Sequence, residues 1–150
     1  YDDRFYLEER LYKTGLTNSD IIEFFSHEEK IENSIGDIFA DPSAKQMIEE
    51  IFRANLNCYP AQKDVKAGID LCKRQTLTIP ESSDHLIKEI RGYHWKKDKE
   101  SNEVLQEPVK LHDHLMDAMR YAIFGITERY GFATVRPGDR KPITKKKYRF

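Results

Sequence analysis

Apolar residues along this 150-residue chain alternate between two rhythms: short β-branched or aromatic runs, and longer stretches at helical spacing. RFYLEE is the first short run. It leads into Tyr12-Lys13-Thr14-Gly15, so a strand over Phe5 to Arg10 and a turn after it are predicted. Thr17-Asn18-Ser19-Asp20 then offers capping residues ahead of IIEFFSHEEK, where Ile21, Ile22, Phe24 and Phe25 give a short helix with one apolar side, expected against a sheet face. Ser34 to Ala40, SIGDIFA, reads as a strand ending in the tight turn Asp41-Pro42-Ser43. AKQMIEEIFRAN follows as a helix carrying Met47, Ile48, Ile51 and Phe52. Leu56 to Pro60 is another short strand, and DVKAGIDLCKRQ a helix with Val65, Ile69, Leu71 and Cys72 inward. Thr76 to Ile79 is a β-branched run stopped by Pro80, and Ser82-Ser83-Asp84 caps HLIKEIRGY. Lys96 to Gln106 is a charged loop or hairpin, with Trp95 at a core edge. The alternation of strands and helices, closed by a C-terminal helix, predicts an α/β layer structure.

That closing helix, Leu111 to Arg129, is the stretch around which the chain is organised. Leu115, Met119, Ala122 and Ile126 recur on one helical face, with Ala118 and Ile123 beside them, and this face is expected in the core. Asp113 and Asp117 are four residues apart, and His114 and Asp117 three, so their Cβ atoms would lie roughly 5–6 Å from one another. Acids so close need a cation between them, and a divalent metal, Arg120 or solvent could each serve. Asp113 also reads as an N-cap or first-turn acid. Asp117 is expected in the helix interior, where Asp is a poor helix former. Asp41 would stand at the carboxyl end of a strand, where open α/β sheets place ligand-binding groups. Asp-Pro opening a helix is equally an ordinary cap arrangement.

Composition narrows the class. Charged residues make up 34% of the chain, but 39% apolar and 11% aromatic content argue for one folded domain. No apolar run approaches the roughly 20 residues needed to span a bilayer, and YDDRFYLEER lacks signal-peptide character, so neither secretion nor membrane insertion is expected. Cys58 and Cys72 are too few for a disulfide framework and are expected as reduced thiols in a reducing compartment. The net charge of -1 is unevenly spread: after Arg136 come Arg140, Lys141, Lys145, Lys146, Lys147 and Arg149 against Asp139 alone. Such an arm is either a solvated end or a contact for a phosphate backbone. Lys63 and Lys66, just after a strand, are lesser candidates for phosphate contact.

FADPS at a strand end, then YPAQK and VKAGID, then HLIKEIRGYHW, then LHDHLMDAMRYA, in that order, resemble the C-terminal nuclease domain of the large terminase subunit of tailed phages and prophages. The resemblance runs from YLEERLYKTGLT to RYAIFG, and D-H-x-x-D-A-x-R-Y after the strand-end Asp is its most specific part. It implies a ribonuclease-H-like fold, a mixed central sheet flanked by helices, and an endonuclease that cuts concatemeric DNA with two divalent ions, Mg²⁺ or Mn²⁺. It implies catalytic roles for Asp41 and Asp117 and metal ligation by Asp41, Asp117 and His114, with Asp113 a weaker addition. The implied partners are double-stranded DNA, an ATPase domain of the same full-length chain, the portal protein and the small terminase subunit, with no membrane. The implied setting is the cytoplasm of a bacterial host during virion assembly. The metal chemistry suits these residues: hard oxygen ligands favour Mg²⁺, and a nearby imidazole moves the preference toward Mn²⁺.

The resemblance also implies a further essential Asp on a first strand, which would lie before Tyr1; Asp2 and Asp3 stand at the wrong end of the strand that follows. Residues 1–130 are therefore expected to be a nuclease domain lacking its first strand or strands, and 131–150 a basic tail. Such a piece is expected to be weak or inactive alone, and no Walker-type G-x-x-x-x-G-K-[ST] is present. Two other readings stay open. One is a non-catalytic module on the same fold that contacts DNA or the portal. The other is a ribonuclease-H-like nuclease of resolvase or integrase type.

Overall fold

The computed structural model describes residues 4–32, 36–97, 101, 104–108 and 113–130. The element order is β1 (Arg4–Tyr6), α1 (Asn18–Glu32), β2 (Ile38–Ala40), α2 (Lys45–Arg53), β3 (Cys58–Pro60), α3 (Val65–Lys73), β4 (Thr76–Thr78), α4 (Asp84–Gly92), β5 (Trp95–Lys97), β6 (Val104–Pro108) and α5 (His114–Tyr130). The charged interval after Trp95 contributes to an antiparallel hairpin of β5 and β6 with a register slip between Trp95 and Lys97. The FADPS strand pairs in parallel with LNCYP, Ile38 opposite Cys58 and Ala40 opposite Pro60. It is extended at both ends by Ile38 N–H to Asn57 O (2.7 Å) and Ala61 N–H to Ala40 O (2.8 Å). β1 pairs with β4, also in parallel.

These pairs are not hydrogen-bonded into one sheet. Among the described residues there are three two-stranded ladders, and each strand is shorter than its apolar run suggested. Packing joins the two parallel ladders instead. Leu7, Leu71, Leu86, Met119 and Ile123 form one core cluster, and Ala40, Ile51, Leu56 and Cys58 a second, on which Ile21, Ile22 and Phe25 of α1 pack. α5 reaches both ladders: Ile123 is wholly buried in the first cluster, while Gly125 lies so close to Phe39 of β2 that an added Cβ would fall 2.3 Å from its ring.

Burial around α5 therefore departs from a single stripe. Met119, Ile123 and Ile126 are buried as expected, Leu115 and Ala122 are half-buried, and Ala118 is exposed. Arg120, Tyr121 and Gly125 are buried on the opposite flank because that side packs against α3 and β2.

Two helix ends are closed locally, and two helix starts are held by residues from elsewhere in the chain. α2 stops where Asn55 takes a left-handed conformation (φ 64°), and Leu56 N–H reaches back to Ile51 O at 3.3 Å. Asp64 caps α3 by accepting from Ala67 N–H at 2.9 Å. Ser83 stands at the N-cap position of α4, but its hydroxyl accepts from Glu9 N–H at 2.9 Å. Glu9 Oε2 in turn accepts from His85 and Leu86 N–H, both at 3.0 Å. α5 is capped likewise, Glu89 Oε2 accepting from Leu115 N–H (2.7 Å) and Met116 N–H (3.0 Å). A carboxylate at these donors satisfies groups that a helix start leaves open and complements its positive end. The chain segment after β1 thus fixes α4, and α4 fixes the start of α5.

Candidate functional site

Asp41 follows β2 directly, so the strand's pairing with β3 fixes where its backbone stands. It does not cap α2. That helix begins three residues later than an Asp-Pro start would place it, with Ala44 at its N-cap position. Asp41 instead closes a turn on itself: its Oδ1 accepts from Ser43 N–H at 2.7 Å and Ser43 Oγ at 2.6 Å, and Ala44 N–H donates to its carbonyl at 2.9 Å. Lys63 Nζ lies 3.2 Å from the same Oδ1, and Tyr121 donates its hydroxyl to Oδ2 at 3.3 Å. The two bonds from Ser43, then Lys63, hold the Asp41 carboxyl well below the ordinary carboxylate range. Two like charges sharing a site would push one of them up; Asp41 moves the other way.

Asp117 stands in the first turn of α5, because the helix starts at His114 and not at Leu111. Asp113 is the residue before it, and its carbonyl accepts from Asp117 N–H at 2.9 Å. The first-turn reading expected of Asp113 thus applies to Asp117 as well. Of a divalent metal, Arg120 and solvent, it is Arg120 that takes Asp117: Nη2 is 2.5 Å from Oδ1, with the Arg120 side chain 5% exposed and that of Asp117 40% exposed. His114 is exposed and Asp113 half-buried.

The two acids come to one region through adjacent residues of α5. Tyr121 bonds Asp41, the Arg120 guanidinium lies 4.9 Å from the Tyr121 ring, and Arg120 pairs with Asp117. Burial pushes the Tyr121 hydroxyl up, and the negative charges of Asp117 and Asp41 push it further, so both carboxylates bear on one phenol. Among the described residues no three His, Cys, Asp or Glu side chains come together closely enough to hold an ion. Asp41 and Asp117 fit a hard divalent cation in donor chemistry and exposure, and fall short of a full ligand set in number.

Lys63 lies on Asp41, and Lys66 is the second residue of α3. Lys145, Lys146 and Lys147 lie outside the described residues, as does the rest of the tail. Three residues that spacing did not single out matter here: Glu89 at the start of α5, Tyr121 between the acids, and Gly68 under Arg120. A polar Arg-Tyr pair inside the apolar rhythm of α5 was the available signal for the second.

A family model described as the terminase RNase H-like domain matches residues 2–124. This chain belongs to that terminase family. The ribonuclease-H-like fold is shared with the nuclease domain of g2p, the large terminase of bacteriophage SPP1, whose crystal structure has bound Mn. The identity is 21%, covering 86% of this chain and 72% of that one, with a TM-score of 0.66. It is shared also with the large terminase of a thermophilic bacteriophage in complex with ATP-gamma-S, at 24% identity and a TM-score of 0.55, covering 72% of this chain. The match spans 28% of that thermophilic phage protein. No curated protein matches the chain. Among the described residues no helix is long and apolar enough to cross a membrane.

Proposed function

We propose that this terminase domain is a divalent-metal-dependent DNA endonuclease, with Asp41 and Asp117 as its catalytic carboxylates and His114, with Asp113 more distantly, as further metal ligands. The observation that carries this reading is the convergence of the two acids, far apart in sequence, on one phenol at the carboxyl end of β2. A structural ion pair needs only one of them. Two ions bound there would supply an activated in-line water and relieve charge on the leaving oxygen of a phosphodiester. The Mn bound in the SPP1 domain supports Mn²⁺ or Mg²⁺ as that metal.

This chain's residues would do the rest. Ser43 and Lys63 keep Asp41 ionised, and Tyr121 fixes the orientation of its second oxygen. Lys63 is 55% exposed and can turn from Asp41 to a backbone phosphate, and Lys66 and Lys145 to Lys147 would add sequence-independent contacts. The ATPase domain of a longer chain, the portal protein and the small subunit are the partners that go with this role, in the cytoplasm of an infected bacterium.

The test is nicking of plasmid DNA by the protein with and without Mn²⁺. Asp41→Asn and Asp117→Asn should each abolish nicking, while charge reversal at Lys145 to Lys147 should weaken DNA binding and flatten its salt dependence. Full nicking by Asp117→Asn would place the chemistry elsewhere. Metal-independent DNA binding with no cleavage would favour the non-catalytic module.

A further inference from the structure

Arg120 is among the most buried polar side chains of the described residues, and its surroundings are specific. Its stem lies on Gly68 of α3, where an added Cβ would stand 2.5 Å from both Cγ and Cδ, so only glycine leaves this slot open. Its charge acts on Cys72 of α3 and on Tyr93 after α4, neither of which offers it a carboxylate. Nη1 is buried and makes no hydrogen bond among the described residues; Nη2 bonds Asp117 Oδ1 at 2.5 Å. A buried guanidinium left without its counter-charge is costly. Asp117 is therefore not free to turn both oxygens toward a metal, because Oδ1 must stay behind to neutralise Arg120.

We infer that Arg120 is the positioning residue of the metal centre. It holds Asp117 by Oδ1, so that Asp117 ligates through its other oxygen alone. This rests on the metal-ligand reading of Asp117 and adds to it the manner of ligation and the device that enforces it. The device has three parts in series. Gly68 gives Arg120 its slot, Arg120 fixes the rotamer of Asp117, and the 40% exposure of Asp117 leaves its remaining oxygen to the solvent side. Lysine would keep the charge but not the planar fork that sets the direction of the bond.

The experiment is a Mn²⁺ titration followed by the electron paramagnetic resonance signal of the free ion, with metal-free thermal melting in parallel. It is run on the full chain, unsubstituted and as Arg120→Lys, Gly68→Ala and Asp117→Asn. Loss of such an outer partner typically weakens metal binding by about 10- to 100-fold. Arg120→Lys should fall in that range, Gly68→Ala should shift in the same direction, and Asp117→Asn should lose most. Arg120→Lys with a lowered melting temperature and unchanged Mn²⁺ affinity overturns the inference, since a merely structural arginine behaves that way. Asp117→Asn with unchanged affinity sinks the ligand reading itself, a separate failure. If the variants do not fold, the unsubstituted protein decides under Mg²⁺ titration. The Arg120 Nε–H resonance should shift in step with occupancy and stay protected from solvent exchange. A resonance that does not move, or that loses its protection, overturns the inference.

Discussion

Asp41 and Asp117 each lie beside a cation, but the two pairs are built differently. Asp41 is held mostly by its own turn: Ser43 supplies two bonds, and Lys63 adds an exposed ammonium on a flexible stem. Asp117 has a single short bond to a guanidinium buried between helices. The first arrangement can release its cation to solvent or phosphate at little cost. The second cannot, because a buried cation has nowhere to go. One acid is thus adjustable and the other fixed, an arrangement by which the proposed metal centre would admit a phosphate on one side and keep its geometry on the other.

The contrast is sharpest in stability. Asp117→Asn removes the charge opposite a buried arginine, so it should destabilise the metal-free fold by about 1–3 kcal/mol in denaturant unfolding. Repulsion between two adjacent acids without a metal would by itself give the opposite expectation, a fold spared or slightly stabilised. The Arg120 pairing removes the basis for that expectation, and an unchanged midpoint would restore it.

The smaller effect lies at Asp41 and shows in its pH dependence. A carboxyl held below its ordinary 3.8 contributes stability that is fully present above that value and lost as pH falls through the folded value. The Ser43 hydroxyl is the largest single cause that holds Asp41 down, so Ser43→Ala should remove part of the stability gained above pH 3.8 even though the Ser43 N–H bond remains. Lys63→Ala itself should cost less than about 1 kcal/mol, as exposed pairs do. For both variants the deficit should be full at neutral pH and shrink below 3.8 in acid-titrated melting. A Lys63→Ala deficit larger than that of Asp117→Asn would reverse the assignment of fixed and adjustable acids.

What the sequence disclosed follows from where the signal was local. Ile38, Phe39 and Ala40 run into Asp41 without a break, so the strand, its parallel partner at Cys58 and the acid at its end were all legible. The spacing of Asp113, His114 and Asp117 gave the second cluster, with Arg120 named beside a divalent metal and solvent as what could separate its acids. The features that escaped are contacts between distant elements. Glu89 looks like a surface residue of α4 until α5 is brought against it, and Gly68 reads as a weak helix position until Arg120 occupies the space. The start of α5 was misplaced for the same reason. The first amides of α5 are taken by a carboxylate from another helix, so its spacing alone did not choose between a start at Leu111 and the cap reading of Asp113, and Asp117 then looked interior when it lies in the first turn.

The central claim is that Asp41 and Asp117 serve one metal centre, and a double-mutant cycle of Mn²⁺ affinity over Asp41→Asn and Asp117→Asn tests it most directly. Ligands of one ion are not independent, so the double variant should lose much less than the product of the two single losses. Losses that multiply, with each single variant still binding Mn²⁺ at full stoichiometry, would put the two acids in separate sites and contradict the account.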